Sequence, residues 1–236
     1  MHIPATLAAL LGQAPIYALS PHIDDVIWSA GGFLHALAKD GREVVLVSIF
    51  SHSIYVYDEV RPPAEATAIR KGEDYNAARA AGFKEVIFLD YPDGILRDTP
   101  QTKVINPGYE TPPYLLAMVT DSLRRIIPRD AVVLAPAAFG GHMDHLTTRR
   151  AALPLTQTKI LYRDMPYGSR TENTQEALKF LSSGWQNFQI TLEPSDVKAH
   201  LDLFWHYQSQ TSREVADEIS TQLTRDGLNF WIASKA

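Results

Sequence analysis

The chain has 236 residues, 45% of them apolar and 21% charged, which excludes a disordered, collagenous or coiled-coil protein. Its 22 Lys and Arg against 27 Asp and Glu give a net charge of −5, so no basic surface for nucleic acid or anionic lipid is expected. The absence of cysteine removes disulfides, thiolate metal sites, iron–sulfur clusters and a cysteine nucleophile, leaving His nitrogen and carboxylate oxygen to hold any metal.

In chain order, residues 6–11 read as a short leading helix with no Lys or Arg before it, so a secretory signal is not expected and a cytoplasmic protein is. Short β-branched runs predict strands at 15–20, 43–50, 85–90, 131–136 and 159–163, with a weaker one at 189–192. Segments of helical period lie between them at 26–39, 64–81, 114–126, 145–153, 174–182 and 195–208. Gly41 and Gly82 fall where left-handed helix ends are expected. Residues 51–63 and 98–113 read as long loops of the kind that often face a substrate. The apolar runs, such as 44–47 and 131–139, are too short to span a bilayer. The alternation of strand and helix predicts one α/β domain over residues 1–236, a Rossmann-like three-layer sandwich on a mostly parallel sheet.

Two motifs follow strand ends. Pro21-His22-Ile23-Asp24-Asp25 comes directly after the first strand, and His142-Met143-Asp144-His145 shortly after the 131–136 strand. Open parallel sheets bind ligands beyond the carboxyl ends of their strands, so the fold can bring the two motifs together over one crevice. His22 and Asp25, spaced i, i+3, can aim at one point, and with His145 they make a two-His, one-carboxylate set. Three protein ligands leave a position open, as in catalytic zinc sites. Asp24 then stands beside the metal as general base. His142 could stabilise an oxyanion or protonate a leaving group, and Asp144 could fix a His tautomer. This is equipment for metal-assisted attack of water on a carbonyl. Taken singly, each residue has a plainer use: Asp24 or Asp25 can cap a helix, and a lone His is commonly structural. His2, His35, His52, His200 and His206 are read as structural or solvent-facing.

With these motifs the chain resembles the PIG-L/LmbE-like zinc-dependent de-N-acetylases, which remove acetyl groups from N-acetylglucosamine-type units of glycoconjugates. Arg70-x-x-Glu73, Tyr91-Pro92-Asp93-Gly94 and the late Gln208-Ser209-Gln210, after a helix with Lys198 and Ala199, resemble further segments of that family, so the likeness spans about residues 15 to 211. The resemblance implies a hydrolase that frees the amine of an amino sugar or N-acetylglucosamine conjugate, a small-molecule substrate. It implies His22, Asp25 and His145 as ligands of Zn²⁺, with Fe²⁺ or another divalent ion as the alternative, and Asp24 as the base. His142 would assist the tetrahedral intermediate, Asp144 would support the site, and Arg70 and Asp93 would face the sugar. Arg70 with Glu73 can equally form a helix-surface ion pair, and Asp93 can be a turn residue.

The chain departs from the family at Ile23, commonly Pro, and at Val26, commonly Glu; the latter removes an acceptor beside the metal. Gly140 stands where the thiol-pathway branch has Tyr, which points to another substrate. The competing readings are a catalytically weak or inactive glycan-binding protein of the same fold and an Fe(II) oxygenase; the βαβ order disfavours the second. Tyr55, Tyr57, Tyr109 and Tyr114 could form a homo-oligomer contact or a sugar-stacking rim.

Overall fold

The computed structural model describes residues 1–56, 59–97, 103–169 and 174–233. Its elements, in chain order, begin with α1 (Ala5–Leu11), β1 (Ile16–Ser20), α2 (Asp25–Lys39) and β2 (Val44–Ser48). A two-residue hairpin, β3 (Tyr55–Val56) and β4 (Glu59–Val60), leads to α3 (Pro63–Ala81), β5 (Glu85–Phe88) and α4 (Pro113–Ile126). There follow β6 (Val132–Pro136), α5 (Met143–Ala152), β7 (Thr158–Tyr162), α6 (Gln175–Leu181), β8 (Trp185–Ile190), α7 (Pro194–Phe204), α8 (Arg213–Asp226) and β9 (Leu228–Ala233).

The main sheet has the order β5-β2-β1-β6-β7-β9-β8. The pairs from β5 to β7 are parallel, and β9 runs antiparallel to both β7 and β8. Strand alternation sorts the side chains into two cores. Ile16, Ala18, Val44, Leu46, Val132, Leu134, Ile160 and Tyr162 face α1, α2, α7 and α8. Their neighbours Leu19, Val45, Val47, Val133, Ala135 and Leu161 face α4, α5 and α6. Both faces are therefore apolar, which is why the central strands read as unbroken hydrophobic runs. Each fully buried Leu, Val or Ile contributes about 1.5–3 kcal/mol, so the two faces together hold the three layers.

The sequence missed α8 and β9, and it placed the eighth strand at 189–192 where the structure has Trp185–Ile190. Gly41 and Gly82 take φ of +84° and +77°, as their positions predicted. Helices α2 and α7 approach closely because α2 carries Gly32 at the crossing, where a Cβ would lie 3.2 Å from His200 Cβ. His200, fully buried, is structural, one of the two expectations for it: its Nδ1 accepts from Gly32 N–H at 3.2 Å and its Nε2 donates to the Trp28 carbonyl at 2.8 Å. The first turns of α2 are thereby pinned from behind while its N-terminus faces the carboxyl end of the sheet. No helix among the described residues is long and apolar enough to cross a membrane.

Candidate active site

β1 and β6 are neighbours in register, Ile16 beside Val132, so the segments leaving their carboxyl ends meet. The 51–53 and 91–93 segments join them through His52 N–H to Tyr91 O (3.2 Å) and Asp93 N–H to His52 O (2.9 Å). The 104–106 stretch closes another side through Met143 N–H to Val104 O and Asn106 N–H to Gly141 O, each 2.9 Å. Both long loops read from the sequence thus face the crevice, although 57–58 and 98–102, with Tyr57, lie outside the described residues. The result is a cavity of about 380 Å³ lined by His22, Asp24, Asp25, Arg70, Asp93 and His142 among others. That volume suits a small ligand.

Asp25 opens α2, and its Oδ2 accepts from the backbone N–H of His22 at 2.8 Å, folding the i, i+3 pair into one turn. Asp24 precedes the helix with φ +111°, a conformation uncommon outside glycine and worth about 1–3 kcal/mol of strain. Its side chain makes no capping bond; it points to Arg70, with Nη2 3.5 Å from Oδ2. Arg70 is buried and also donates to Ser53 Oγ (2.9 Å) and the Ile23 carbonyl (2.8 Å).

His22, His142 and His145 each bring one ring nitrogen within 4.8 Å of the others. His22 Nε2 lies 2.9 Å from Asp144 Oδ2, and its Nδ1 lies 3.1 Å from Asp25 Oδ2. His145 Nδ1 lies 2.6 Å from Asp164 Oδ1, which turns Nε2 toward Asp25 Oδ2 at 3.2 Å. That Nε2 is buried and, beyond this ion pair with Asp25, has no hydrogen-bond partner among the described residues. One nitrogen of each ring is thus held by an outer carboxylate while the other is directed at Asp25. His142 differs: its Nδ1 accepts from Asp144 N–H at 3.2 Å, so the ring proton sits on Nε2. In that tautomer Nε2 is a donor.

Charge follows this wiring. Burial would lower the His22 pKa, but the hydrogen bonds to Asp144 and Asp25 outweigh it and raise it to about 9. Burial likewise opposes protonation of His145, yet the charge of Asp25 and the bond to Asp164 lift it to about 10. Asp25 is held well below the carboxylate range, burial notwithstanding, by the charges of His145 and His22 and by the hydrogen bond from His22. Asp24 moves the other way: burial first, then the neighbouring charge of Asp25, pushes its carboxyl well above the usual value. Asp144 stays ionised against burial because His22 and Arg97 both face it, with Gly94 N–H donating at 2.8 Å. His142 is kept neutral by burial and by the two neighbouring histidines.

The family model of the GlcNAc-PI de-N-acetylases, PIG-L, matches residues 17–156. The chain belongs to the PIG-L family. It is 28% identical to a 2'-N-acetylparomamine deacetylase of Streptomyces fradiae, over 98% of this chain and 86% of that protein. Among solved structures, a deacetylase of the teicoplanin biosynthesis pathway superposes with a TM-score of 0.74 at 23% identity, covering 94% of this chain and 99% of that one. The N,N'-diacetylchitobiose deacetylase of Pyrococcus horikoshii superposes at 0.59 and 19%, covering 89% and 75%. At these identities the two structures speak for a shared fold.

PIG-L membership implies a divalent metal, and the donor set fits one. The buried His145 Nε2, paired only with Asp25 among the described residues, is the atom such an ion would satisfy, and the carboxylates behind His22 and His145 are the partners that metal-bound imidazoles ordinarily have. The PIG-L departures also acquire physical meaning. Val26, where Glu is common, is buried in the core, and the carboxylates that meet His22 and His145 are Asp144, of the H-x-D-H motif, and Asp164. Gly140 has φ +82°, and a Cβ there would come within 2.6 Å of Tyr167 Cβ. The bare backbone admits Tyr167, whose ring stands 5.2 Å from that of His145 and which lines the cavity.

The further PIG-L segments divide their work. Arg70 does not pair with Glu73; it turns inward, while Glu73 accepts from Ser209 N–H at 2.7 Å. Gln210 then donates to the Tyr55 carbonyl at 2.9 Å and lines the cavity with Tyr55. Asp93 is buried at the cavity wall and also accepts from Leu96 N–H at 3.1 Å, so it is both a lining residue and a turn residue. Of the aromatic residues read as a rim, Tyr55 lines the cavity, whereas Tyr114 is exposed on α4 and is not among the lining residues. Asp164 and Tyr167 were missed in the sequence because neither belongs to a recognisable motif. Their position just after a predicted strand was the available signal.

Proposed function

We propose that this protein is a divalent-metal-dependent N-deacetylase acting on an amino sugar or an N-acetylglucosamine-containing conjugate. The observation that carries the reading is the aim of His22 Nδ1 and His145 Nε2 at the same oxygen of Asp25, at 3.1 and 3.2 Å, with Asp24 one residue away. PIG-L membership and the match to the 2'-N-acetylparomamine deacetylase over nearly the whole chain support it. A cytoplasmic place and a single domain over residues 1–236 belong to the same proposal.

In this reading His22, Asp25 and His145 hold the ion, zinc by the character of the donors, with iron(II) or another divalent ion as the alternative. When bound, the ion polarises the amide carbonyl as a Lewis acid and makes water more acidic. Asp24, its proton affinity raised by burial and held in place by Arg70, accepts the proton of the attacking water. His142 donates from Nε2 to the oxygen that gains negative charge as the carbonyl carbon becomes tetrahedral. The C–N bond then breaks, the nitrogen takes the proton held by Asp24, and acetic acid and the amine result, the acid giving its proton to the amine so that acetate and an ammonium group leave. Arg70 and Asp93 offer a donor and an acceptor to sugar hydroxyls at the cavity wall, and Asp144 holds the ring of His22.

The test is amine release from a panel of N-acetylglucosamine glycosides and N-acetylated aminoglycosides by zinc-loaded protein, beside its Asp24→Asn variant. The parent is expected to release amine, and the variant about 10²–10⁴-fold less with its zinc retained. Undiminished release by the variant, or equal loss of zinc, would overturn the role given to Asp24.

A further inference from the structure

A second cavity, of about 370 Å³, lies beyond the turn at 138–141 and is bounded by α5 and α6. Among the described residues three cationic ones line it, Arg149, Arg150 and Lys179, against one carboxylate, Glu176. Arg149 is 8% exposed, yet no carboxylate lies within ion-pair distance of it among the described residues. The other buried arginine among the described residues, Arg70, is matched by Asp24 at 3.5 Å; of the half-buried ones Arg97 is matched by Asp144 and Arg163 by Asp226 at 3.1 Å, whereas Arg42 and Arg150 donate only to neutral oxygens. The Arg149 guanidinium stacks on Phe180 at 4.1 Å and, among the described residues, makes one hydrogen bond, from Nη1 to the Ala137 carbonyl at 2.7 Å. Its Nε is buried without a partner among the described residues, as are those of Arg70 and Arg163, but only Arg149 of the three also lacks a carboxylate at its guanidinium.

Asp164, the carboxylate that acts on Arg149 from a distance, is already engaged by His145 and by Phe139 N–H. Arg150 is likewise without an ion pair among the described residues, donating to the Tyr109 carbonyl (2.6 Å) and to Thr111 Oγ1 (3.0 Å). Burial and the like charge of Arg150 weaken the hold of Arg149 on its proton, although Asp164 works against them, and its pKa falls to about 10. A covered cation with spare donors and a cationic neighbour is costly unless an anion meets it.

We infer that this cavity binds a small oxyanion, a carboxylate or a phosphoryl group, at the guanidinium of Arg149, with Arg150 and Lys179 adding positive potential. The site is separate from the catalytic cavity, and the inference stands whether or not the deacetylase reading does. The carboxylate source and the phosphate source are told apart by titrating with acetate and with inorganic phosphate in turn.

The experiment is isothermal titration of metal-loaded full-length protein with each anion at low ionic strength, for the parent, Arg149→Met and Lys179→Glu. Methionine keeps the apolar stem beside Phe180 and removes the charge and donors. Lys179 is exposed, so its replacement leaves folding intact. The parent is expected to bind at least one of the two anions, about tenfold or more weakly in Arg149→Met. Lys179→Glu is expected to weaken binding about threefold or more, with the loss reduced at high salt. Affinity in both variants equal to that of the parent places any anion at the metal site and overturns the inference, as does a parent that binds neither anion. Should Arg149→Met fail to fold, Lys179→Glu alone decides, by the same two outcomes.

Discussion

Lowering the pH reaches this fold at His200, the imidazole that spans one turn of α2 from its seat on α7. Its Nδ1 is committed as an acceptor from Gly32 N–H, and only Nε2 carries a proton, which it gives to the Trp28 carbonyl. A second proton would have to sit on Nδ1, facing another N–H, in a place with no exposure to water. Burial therefore lowers the pKa from 6.5 to about 4, the bond to Trp28 opposing it only in part. The unfolded chain binds the proton near pH 6.5 and the folded chain near 4, so stability is complete above the first value and drains away as pH falls toward the second. The shift is worth about 3 kcal/mol, a large share of the 5–15 kcal/mol typical of a folded domain. Urea unfolding of chelator-treated parent and His200→Gln at pH 7, 5.5 and 4 checks this, because groups elsewhere titrate alike in both and cancel in the difference. The variant is expected to be weaker at pH 7 and to lose about 3 kcal/mol less than the parent on acidification. Parallel losses in the two proteins would refute the reasoning.

The site makes its own demands. Asp164→Asn leaves the ring of His145 without its charged partner and is expected to weaken zinc binding about 10–100-fold, measured by competition with a chelator. His142→Ala is expected to keep zinc at close to the parent affinity while lowering turnover about 10²–10³-fold, whereas His22→Ala and His145→Ala lose the metal. Zinc loss in His142→Ala equal to theirs would make His142 a ligand instead. Gly140→Ala forces a Cβ against Tyr167 at a positive φ and is expected to cost about 2–5 kcal/mol in urea unfolding, with Tyr167 displaced. Unchanged stability would show that Tyr167 can move aside freely.

What could be read in advance depended on how local the signal was. The parallel strands are apolar runs because both faces of the sheet are covered, and runs such as 44–47 and 131–136 carry that signal unaided. The edge is harder to read: β8 alternates Gln186, Asn187 and Gln189 with buried Phe188 and Ile190, a pattern diluted by polar residues. α8 is a mostly polar surface helix whose core stripe includes Ala216, Ile219 and Leu223, and the apolar stretch of β9 is preceded by no turn signal beyond Gly227. In the site, His22, Asp24, Asp25, His142, Asp144 and His145 stood out because they are packed into two short motifs. Asp164 could not, since its value depends on the ring of His145 reaching it across 19 positions of sequence. Arg70 and Glu73 show the same limit: their spacing suggests a pair, and only the tertiary structure sends one inward and the other to Ser209.

The place of β9 in the sheet bears on how the chain is made. The strands from β5 to β7 form a continuous parallel block, and all are synthesised by residue 162. β8 emerges next but has no partner there, for the strand that joins it to β7 is β9, nearly 40 residues later. During synthesis, then, the catalytic half can close around its histidines while Trp185–Ile190 waits with its strand edge unpaired. Nine residue pairs form when Leu228–Ala233 slots in, six with β8 and three with β7. A ribosome stalled before that point would hold a nascent chain with an assembled crevice and an open, adhesive flank.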